Sequence, residues 1–406
     1  MTSLNLFDHQ KQFLLDNKRR TMCIWETGTG KTITAIEWAK RHRAIAPNTL
    51  IICPKTLKTN WHRNIQKYGK GYAFDVYSKE EFKKVWRALP RYDNIVIDEA
   101  HFFANHKSQL SKALNGYIQS HRVEDILGLT ATPYMSSPWN IYSLGLIMGK
   151  KWNWVYFRKT FFVDIDMGGM YPVPVVRDNA KELLLPLIDE LGSTVKLGDC
   201  VDVPDDNMVI EYFRKTQPQK VFVKNLFEPH HLTYWTKTHQ AMGGVVKQTE
   251  YDDDMYIHLK SEKLDRVIEL ALQIPKPIIV CRYNGEIARI DDEIRAKGKK
   301  TFIINGSIND KQAVLDAMNL EEEAVLLVNA ACSEGWQLPS ADTIIFYSYD
   351  FSLKNYIQMK GRIQRIDNIK KCTYISLVVE ESVDEDVYDT VVVKKMDFQT
   401  DIYAKP

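Results

Sequence analysis

The stretch TMCIWETGTGKTITAIEWAK, residues 21–40, decides the fold. TMCIW has the length and apolar character of a buried strand, TGTG supplies a glycine turn, and KTITAIEWAK carries apolar residues at helical spacing. Strand, glycine turn and helix in that order make a phosphate-binding loop. The usual spelling, G-x-x-x-x-G-K-[ST], has its first glycine where this chain has Trp25. Gly28 and Gly30, the glycines nearest a phosphate, are present. Successive backbone N–H groups of Gly28, Thr29, Gly30 and Lys31, with Thr27 in the same turn, can face phosphate oxygens at the positive end of a helix. Lys31 adds a point charge, and Thr32 adds a hydroxyl of the kind that ligates Mg²⁺. The competing reading is a glycine turn that only joins a strand to a helix.

Working outward, short β-branched runs recur at TLIIC (49–53), AFDVY (73–77), NIVID (94–98) and DILGLT (125–130), separated by helical patterns. That alternation predicts an α/β fold with a parallel sheet covered on both faces. Residues 139–255 are richer in aromatics and prolines, with a helical pattern in SPWNIYSLGLIMG and a turn in MGGMYPVP. Alternation resumes at PIIVC (277–281), KTFIING (300–306), AVLLVN (324–329), DTIIFY (342–347) and CTYISLVV (372–379). Two parallel-sheet units flanking a mostly helical insertion are expected. The acidic run at 252–254 reads as solvated charge beside a linker rather than a metal site.

Composition narrows the function classes. With 406 residues, 45% hydrophobic and 26% charged, the chain is neither disordered nor a small stapled scaffold. Lys plus Arg number 54 against 52 Asp plus Glu, so any polyanion-binding surface must be local. The six cysteines include no C-x-x-C pair and are expected as reduced core residues. No basic-then-apolar leader and no apolar run of membrane-spanning length is apparent, and a cytoplasmic location is expected.

Three further constellations carry chemistry. IVIDEAH (95–101) ends a buried strand with Asp98 and Glu99, placing carboxylates on the ligand side of a parallel sheet. Asp98 can hold Mg²⁺ and Glu99 can orient or deprotonate a water. LTATP (129–133) places Thr130 and Thr132 near the same edge. Arg362 and Arg365, three residues apart in IQMKGRIQRI (357–366), share a face and suit a developing phosphoryl charge; the alternative is a solvated face. Lys55, Lys58, Arg63, Lys67 and Lys70 form a basic stripe with no carboxylate between them, either a phosphate-backbone track or a solvated amphipathic helix. GKKWNWVYFRKTFF (149–162) mixes bases with aromatics, which reads better as a packed core than as a base-stacking platform.

Taken together the motifs resemble, in order and through nearly the whole chain, those of a superfamily 2 helicase of the Swi/Snf-like branch, with a DEAH box. LFDHQ resembles its leading L-x-x-[HY]-Q element, ETGTGKT its E-x-G-x-G-K-T, PKTLKTNW its P-x-x-L-x-x-N-W, and HFFANHKSQLSKAL the element after the acidic pair. In the second half PIIVCRYNGEI, NGSIND, LLVNAACSEGWQLPSADTIIFY and QMKGRIQRI resemble the remaining motifs, and VEESVDEDVYD resembles its T-[IV]-[DE]-E helix. The resemblance implies two RecA-like domains, residues 1–138 and 256–385. It places a helical insertion and linker at 139–255 and a C-terminal extension at 386–406. It assigns adenine reading to Gln10 and nucleotide contact to Gly335. Catalysis falls to Lys31, Asp98, Glu99, Gln358, Arg362 and Arg365, and nucleic-acid contact to Lys55, Lys58, Arg282, Asn284, Gly306 and Ser333. ATP and Mg²⁺ (on Thr32 and Asp98) are the implied ligands, with the nucleotide between the two domains and duplex or branched DNA as partner of a monomer. A strand-separating RNA or single-strand DNA helicase, and a clamp that binds ATP without turnover, remain the alternatives. The pattern departs at GSTVKLGDCVDVPDD, where Lys196 alone stands for a basic R-R-x-K, and compactness suggests a bacteriophage or bacterial source.

Overall fold

Side chains along one strand alternate between two faces, so a strand buried on both sides feeds two separate cores. Met22 and Ile24 join one apolar cluster with Leu50, Ile52, Ile95, Ile97 and Ile126, while Cys23 and Trp25 join another with Ile51, Cys53, Val96, Leu127 and Leu129. The sheet between them contains β1 (Arg20–Trp25), β2 (Asn48–Cys53), β3 (Ala73–Ser78), β4 (Asn94–Asp98) and β5 (Asp125–Thr130). After these come a hairpin, β6 (Phe162–Ile165) with β7 (Val173–Val176), and then β8 (Gly192–Val195), which returns to the sheet. Strand order is β3-β2-β4-β5-β1-β8, with every pairing parallel. Gly192 permits the close return of β8, because a Cβ there would lie 1.9 Å from Met22 O.

The computed structural model describes residues 6–41, 47–135, 137–166, 172–202, 204–250, 253–308, 310–364 and 370–394, and it divides after Asp202 into two compact units. The second unit repeats the design. It comprises β9 (Asn207–Phe213), an antiparallel hairpin of β10 (Val245–Glu250) and β11 (Asp253–His258), and then β12 (Ile278–Cys281), β13 (Thr301–Ile304), β14 (Val325–Asn329), β15 (Thr343–Phe346) and β16 (Thr373–Val379). Its sheet runs β13-β14-β12-β15-β16-β9, again all parallel. Ile278 and Val280 face one cluster; Ile279 and Cys281 face the other. The α/β expectation is met by two six-stranded parallel sheets with flanking helices.

Residues 139–255 differ from the expected mostly helical insertion. The helices Trp139–Ile147, Trp154–Phe161 and Ala180–Leu191 pack into the first unit's core through Ile141, Leu144, Phe157, Phe161, Leu184 and Ile188. Trp139 stacks on Trp154 with ring centroids 4.1 Å apart and on Phe162 at 4.7 Å, so the aromatics of this segment chiefly pack against one another. β9 and the helices Gln217–Asn225 and His231–Met242 belong instead to the second unit. The strand return was hidden because GSTV is four residues long and weakly apolar. The first five residues of MGGMYPVP, 167–171, lie outside the described residues, as does Asp252 of the acidic run. Cys23, Cys53, Cys281 and Cys372 are buried free thiols, as expected, and Cys200 and Cys332 are half-buried. No helix among the described residues is long and apolar enough to cross a membrane.

Trp25 explains its own departure from the glycine spelling. It is the last residue of β1 and fully buried; its indole Nε1 donates to Ser193 Oγ at 2.7 Å, and its ring meets His9 and Phe13 edge-on. It belongs to the core and lies before the loop. Trp25→Gly, which restores the usual spelling, is therefore expected to destabilise the protein by at least ~3–5 kcal/mol, the cost of emptying a buried aromatic site. Chemical denaturation checks this, and a variant as stable as the parent would contradict the packing account.

Candidate functional site

From Trp25 the chain turns through residues 26–30 into the helix Lys31–Arg41. Gly28 and Gly30 both take left-handed backbone, at φ 83° and 84°, where side chains are strained. At Gly30 a Cβ would also lie 2.4 Å from Gln10 Nε2. Gln10, on the helix Asp8–Asp16, is buried; its Nε2 donates to Gly30 O at 3.3 Å and its Oε1 accepts from Phe7 N at 2.9 Å. His9 places Nε2 3.0 Å from Thr29 O, and Thr29 Oγ1 donates to Glu26 O at 2.7 Å. The helix bearing the adenine-reading candidate is thus bonded directly to the loop. Thr27 and Thr32 are half-buried beside it.

Lys31 Nζ donates to Trp25 O at 2.8 Å and Glu26 O at 2.9 Å. Burial lowers its pKa, and the carboxylates of Glu99 and Asp98 oppose that shift, which places both acids within electrostatic reach of the ammonium. Asp98 ends β4. Its Oδ2 accepts from Trp61 Nε1 at 2.8 Å and its Oδ1 from Glu99 N at 3.0 Å. Burial and then the neighbouring Glu99 raise the Asp98 carboxyl to about 7, against the Trp61 bond and Lys31. Glu99 itself sits at φ 53°, a left-handed conformation that costs a non-glycine residue ~1–3 kcal/mol. Its Oε2 is 3.2 Å from His101 Nδ1, which is also 3.1 Å from Thr130 Oγ1; that oxygen accepts from Thr132 N at 3.1 Å. The DEAH and T-x-T-P segments are therefore joined through one buried imidazole. The sequence reading missed Trp61, His9 and the His101–Thr130 contact, although Trp61 closes the quoted PKTLKTNW element and His101 follows the acidic pair.

The nucleic-acid candidates of this unit follow β2. Lys55 opens a 3-10 turn, Lys55–Leu57, and Lys58 opens the helix Lys58–Tyr68. Lys58 Nζ bonds Glu81 Oε2 at 2.7 Å, so a carboxylate from another helix interrupts a stripe that has none in its own sequence.

In the second unit the candidates gather where the sheet's strands end. Arg282 and Asn284 follow β12, and Asn329 Nδ2 at the end of β14 donates to Arg282 O at 3.1 Å and Asn284 Oδ1 at 3.0 Å. Gly306 lies exposed in the turn after β13. Gly335, at φ 83°, shapes the loop after β14. Arg362 donates through Nε to Gln358 O at 2.8 Å and through Nη1 to Trp336 O at 2.7 Å. Gln358 and Ser333 are both buried, and Ser333 Oγ donates to Gln358 Oε1 at 3.2 Å. With its side chain covered, Ser333 spends its hydroxyl on Gln358 in this structure. Lys311, unassigned from sequence, donates to Cys332 O at 3.3 Å and Glu334 O at 2.8 Å in the same loop. Arg365 lies outside the described residues. Among the described residues no cluster of His, Cys, Asp and Glu is arranged to hold a metal by itself.

Comparison with known proteins finds a match on each unit. Residues 260–367 match the helicase conserved C-terminal domain, and residues 3–88 match the res subunit of type III restriction enzymes. The two matches lie in order on the two units. Chromodomain-helicase-DNA-binding protein 1-like of Danio rerio is 21% identical over 95% of this chain and 42% of its own length. The SWI/SNF-related matrix-associated actin-dependent regulator of chromatin subfamily A-like protein 1 of Xenopus laevis is 22% identical over 94% and 42%. A solved structure, the Sulfolobus solfataricus SWI2/SNF2 ATPase core in complex with dsDNA, is 18% identical over 98% of this chain and 93% of its own, with a TM-score of 0.43. The chain is thus similar, over most of its length, to Swi/Snf-like members of superfamily 2. It spans less than half the length of these curated relatives.

Proposed function

We propose that the protein is an ATP-driven motor that couples hydrolysis to movement along duplex or branched DNA. The observation that carries this reading is the gathering of a glycine-turned loop and the ammonium of half-buried Lys31 after β1 with the carboxylates Asp98 and Glu99 after β4, at the carboxyl ends of one parallel sheet. Backbone N–H groups of residues 28–31 and Lys31 would hold the triphosphate, and Gln10 would read the adenine. Glu99, whose Oε2 lies 3.2 Å from His101 Nδ1, would orient the attacking water. Arg362 and Arg365 would act on the transferred phosphoryl group. Thr32 and Asp98 suit Mg²⁺, since a hydroxyl and a carboxylate are hard oxygen ligands; burial and then the half-buried Glu99 beside it raise the Asp98 pKa, a crowding of acids that a dication would offset. When bound, the ion neutralises charge on the phosphates. Arg282, Asn284, Gly306 and Lys55 would contact the phosphate backbone without reading sequence.

The test is steady-state ATPase activity with no nucleic acid and with single-stranded, duplex, forked and four-way DNA, using RNA as control. Duplex or branched DNA is expected to raise turnover at least ~10-fold at low salt, with the half-saturating DNA concentration rising steeply with salt, because counterions released on binding gain less entropy in a saltier solution. Stimulation by RNA alone would replace this reading with an RNA helicase. Binding of ATP and DNA without turnover would replace it with a clamp.

A further inference from the structure

Beyond the candidate site, the second unit contains a fully buried set of polar groups that the proposed reaction does not use. Lys263 Nζ donates to Asp384 Oδ2 at 2.7 Å, and the same oxygen accepts from Val379 N at 2.9 Å. Asp384 Oδ1 lies 3.2 Å from His239 Nε2, and His239 Nδ1 lies 3.1 Å from Tyr283 Oη. His239, Lys263 and Asp384 are each 1% exposed. Three helices far apart in sequence, His231–Met242, Glu262–Gln273 and Val383–Tyr388, thus converge on Asp384, and His239 links that carboxylate to Tyr283, the residue between Arg282 and Asn284.

The far end of this chain is the Arg282–Asn284 turn. The Arg282 guanidinium lies 5.2 Å from the centroid of the Tyr283 ring and 4.5 Å from that of Phe351, within range for a cation over aromatic faces. The backbone of the turn is held as well. Arg282 N donates to Ser348 Oγ at 2.7 Å, Ser348 Oγ donates to Glu286 Oε2 at 2.5 Å, and Tyr283 N donates to the same carboxylate oxygen at 3.2 Å.

We propose that Asp384, His239 and Tyr283 are positioning residues that aim Arg282 and Asn284 at nucleic acid. This rests on the reading of Arg282 as a DNA contact. Burial would raise the Asp384 carboxyl, yet Lys263 and His239 hold it down, to about 2, so it stays an anion. Burial lowers the His239 pKa against the pull of Asp384, which favours a neutral ring. A neutral imidazole donating from Nε2 to Asp384 presents Nδ1 as an acceptor, and the Tyr283 hydroxyl donates to it. The direction of each bond therefore follows from the anion at the base of the chain. Stability alone does not call for this arrangement, because apolar side chains of like volume commonly serve as well as a buried ion pair.

Asp384→Asn leaves Lys263 buried without its anion and puts the fold itself at risk, so Tyr283→Phe, which removes one hydroxyl, is the deciding variant. Two quantities are measured beside Arg282→Ala: hydrogen exchange of amides 282–287 in the free protein, and the DNA dependence of the ATPase. Tyr283→Phe is expected to speed exchange in that segment and to raise the half-saturating DNA concentration about 3- to 10-fold, the worth of one hydrogen bond. Turnover at saturating DNA and without DNA stays within about 2-fold of the parent, a split that general destabilisation does not produce. Unchanged exchange overturns the positioning role whatever the DNA result. Faster exchange with a normal DNA response in both Tyr283→Phe and Arg282→Ala overturns the reading of Arg282 as a contact. A weakened Arg282→Ala beside an unaffected Tyr283→Phe overturns the coupling between the two.

Discussion

Lys31→Ala is expected to reduce DNA-stimulated ATP hydrolysis by on the order of 10²–10³, the loss seen when one preorganised electrostatic group is removed from a reacting centre. The size of the effect follows from where the ammonium sits. It is the first residue of its helix, bonded to the carbonyls of Trp25 and Glu26 at the mouth of the loop, and close enough to Asp98 and Glu99 for both to act on its pKa. A point charge so enclosed is little screened by solvent, and a phosphate arriving beside it would gain correspondingly. The fold should survive, because alanine favours a helix start more than it harms one and the lost bonds go to carbonyls at a loop edge. Lys31→Arg is not expected to rescue, since a planar guanidinium cannot enter a space shaped for a compact ammonium. Glu99→Gln provides the contrast. Losing a general base is expected to lower turnover by ~10²–10⁴ while nucleotide affinity persists. Steady-state ATPase, nucleotide titration and a circular-dichroism melt separate the cases. A Lys31→Ala protein that turned over ATP like the parent would remove the glycine loop from the chemistry.

The loop was legible in sequence because its determinants are local: a strand, two glycines with positive φ and a helix start all lie within residues 20–41. Trp25 looked anomalous only against a spelling that begins too early; the burial pattern of β1 assigns it to the core. The acidic pair was legible for the same reason, as the end of an apolar run. Contacts that depend on long-range closure were not. β8 reaches β1 from 170 residues away in register Met22↔Gly192, and GSTV carries no strand signal strong enough to announce it. The NMVIEYF stretch of β9 does alternate, but as an edge strand with one exposed face it looked like part of the aromatic-rich segment around it. Ser333 was visible as part of its motif, but its bond to Gln358, 25 residues on, was not. Asp384 illustrates the converse, since its motif position was visible but its partner Lys263 lies 121 residues away.

Arg362→Ala is expected to lower turnover at saturating DNA by about 10³ or more, in the range attributed to an arginine that stabilises a transferred phosphoryl group. The side chain is prepared for an anion. Two carbonyls, of Gln358 and Trp336, orient the guanidinium through Nε and Nη1, and Lys311 stands near enough for Arg362 to depress its pKa, after burial. Burial lowers the Lys311 pKa, Cys332 and Glu334 oppose that shift and Arg362 adds to it, so an anion entering there would meet both cations. Loss of such a group acts on the transition state more than on the bound substrate, so ATP affinity should change by no more than about 3-fold while turnover collapses. Arg362→Lys should be nearly as impaired, because one ammonium cannot reproduce the fork that bonds both carbonyls and still points charge outward. A structural role predicts something different: removing the bonds to Gln358 and Trp336 would lower the melting temperature, and activity would recover on cooling. Turnover that fell at every temperature in a protein with unchanged melting would therefore assign Arg362 to the chemistry, and full activity in a destabilised protein would make it a clamp for the 333–338 loop.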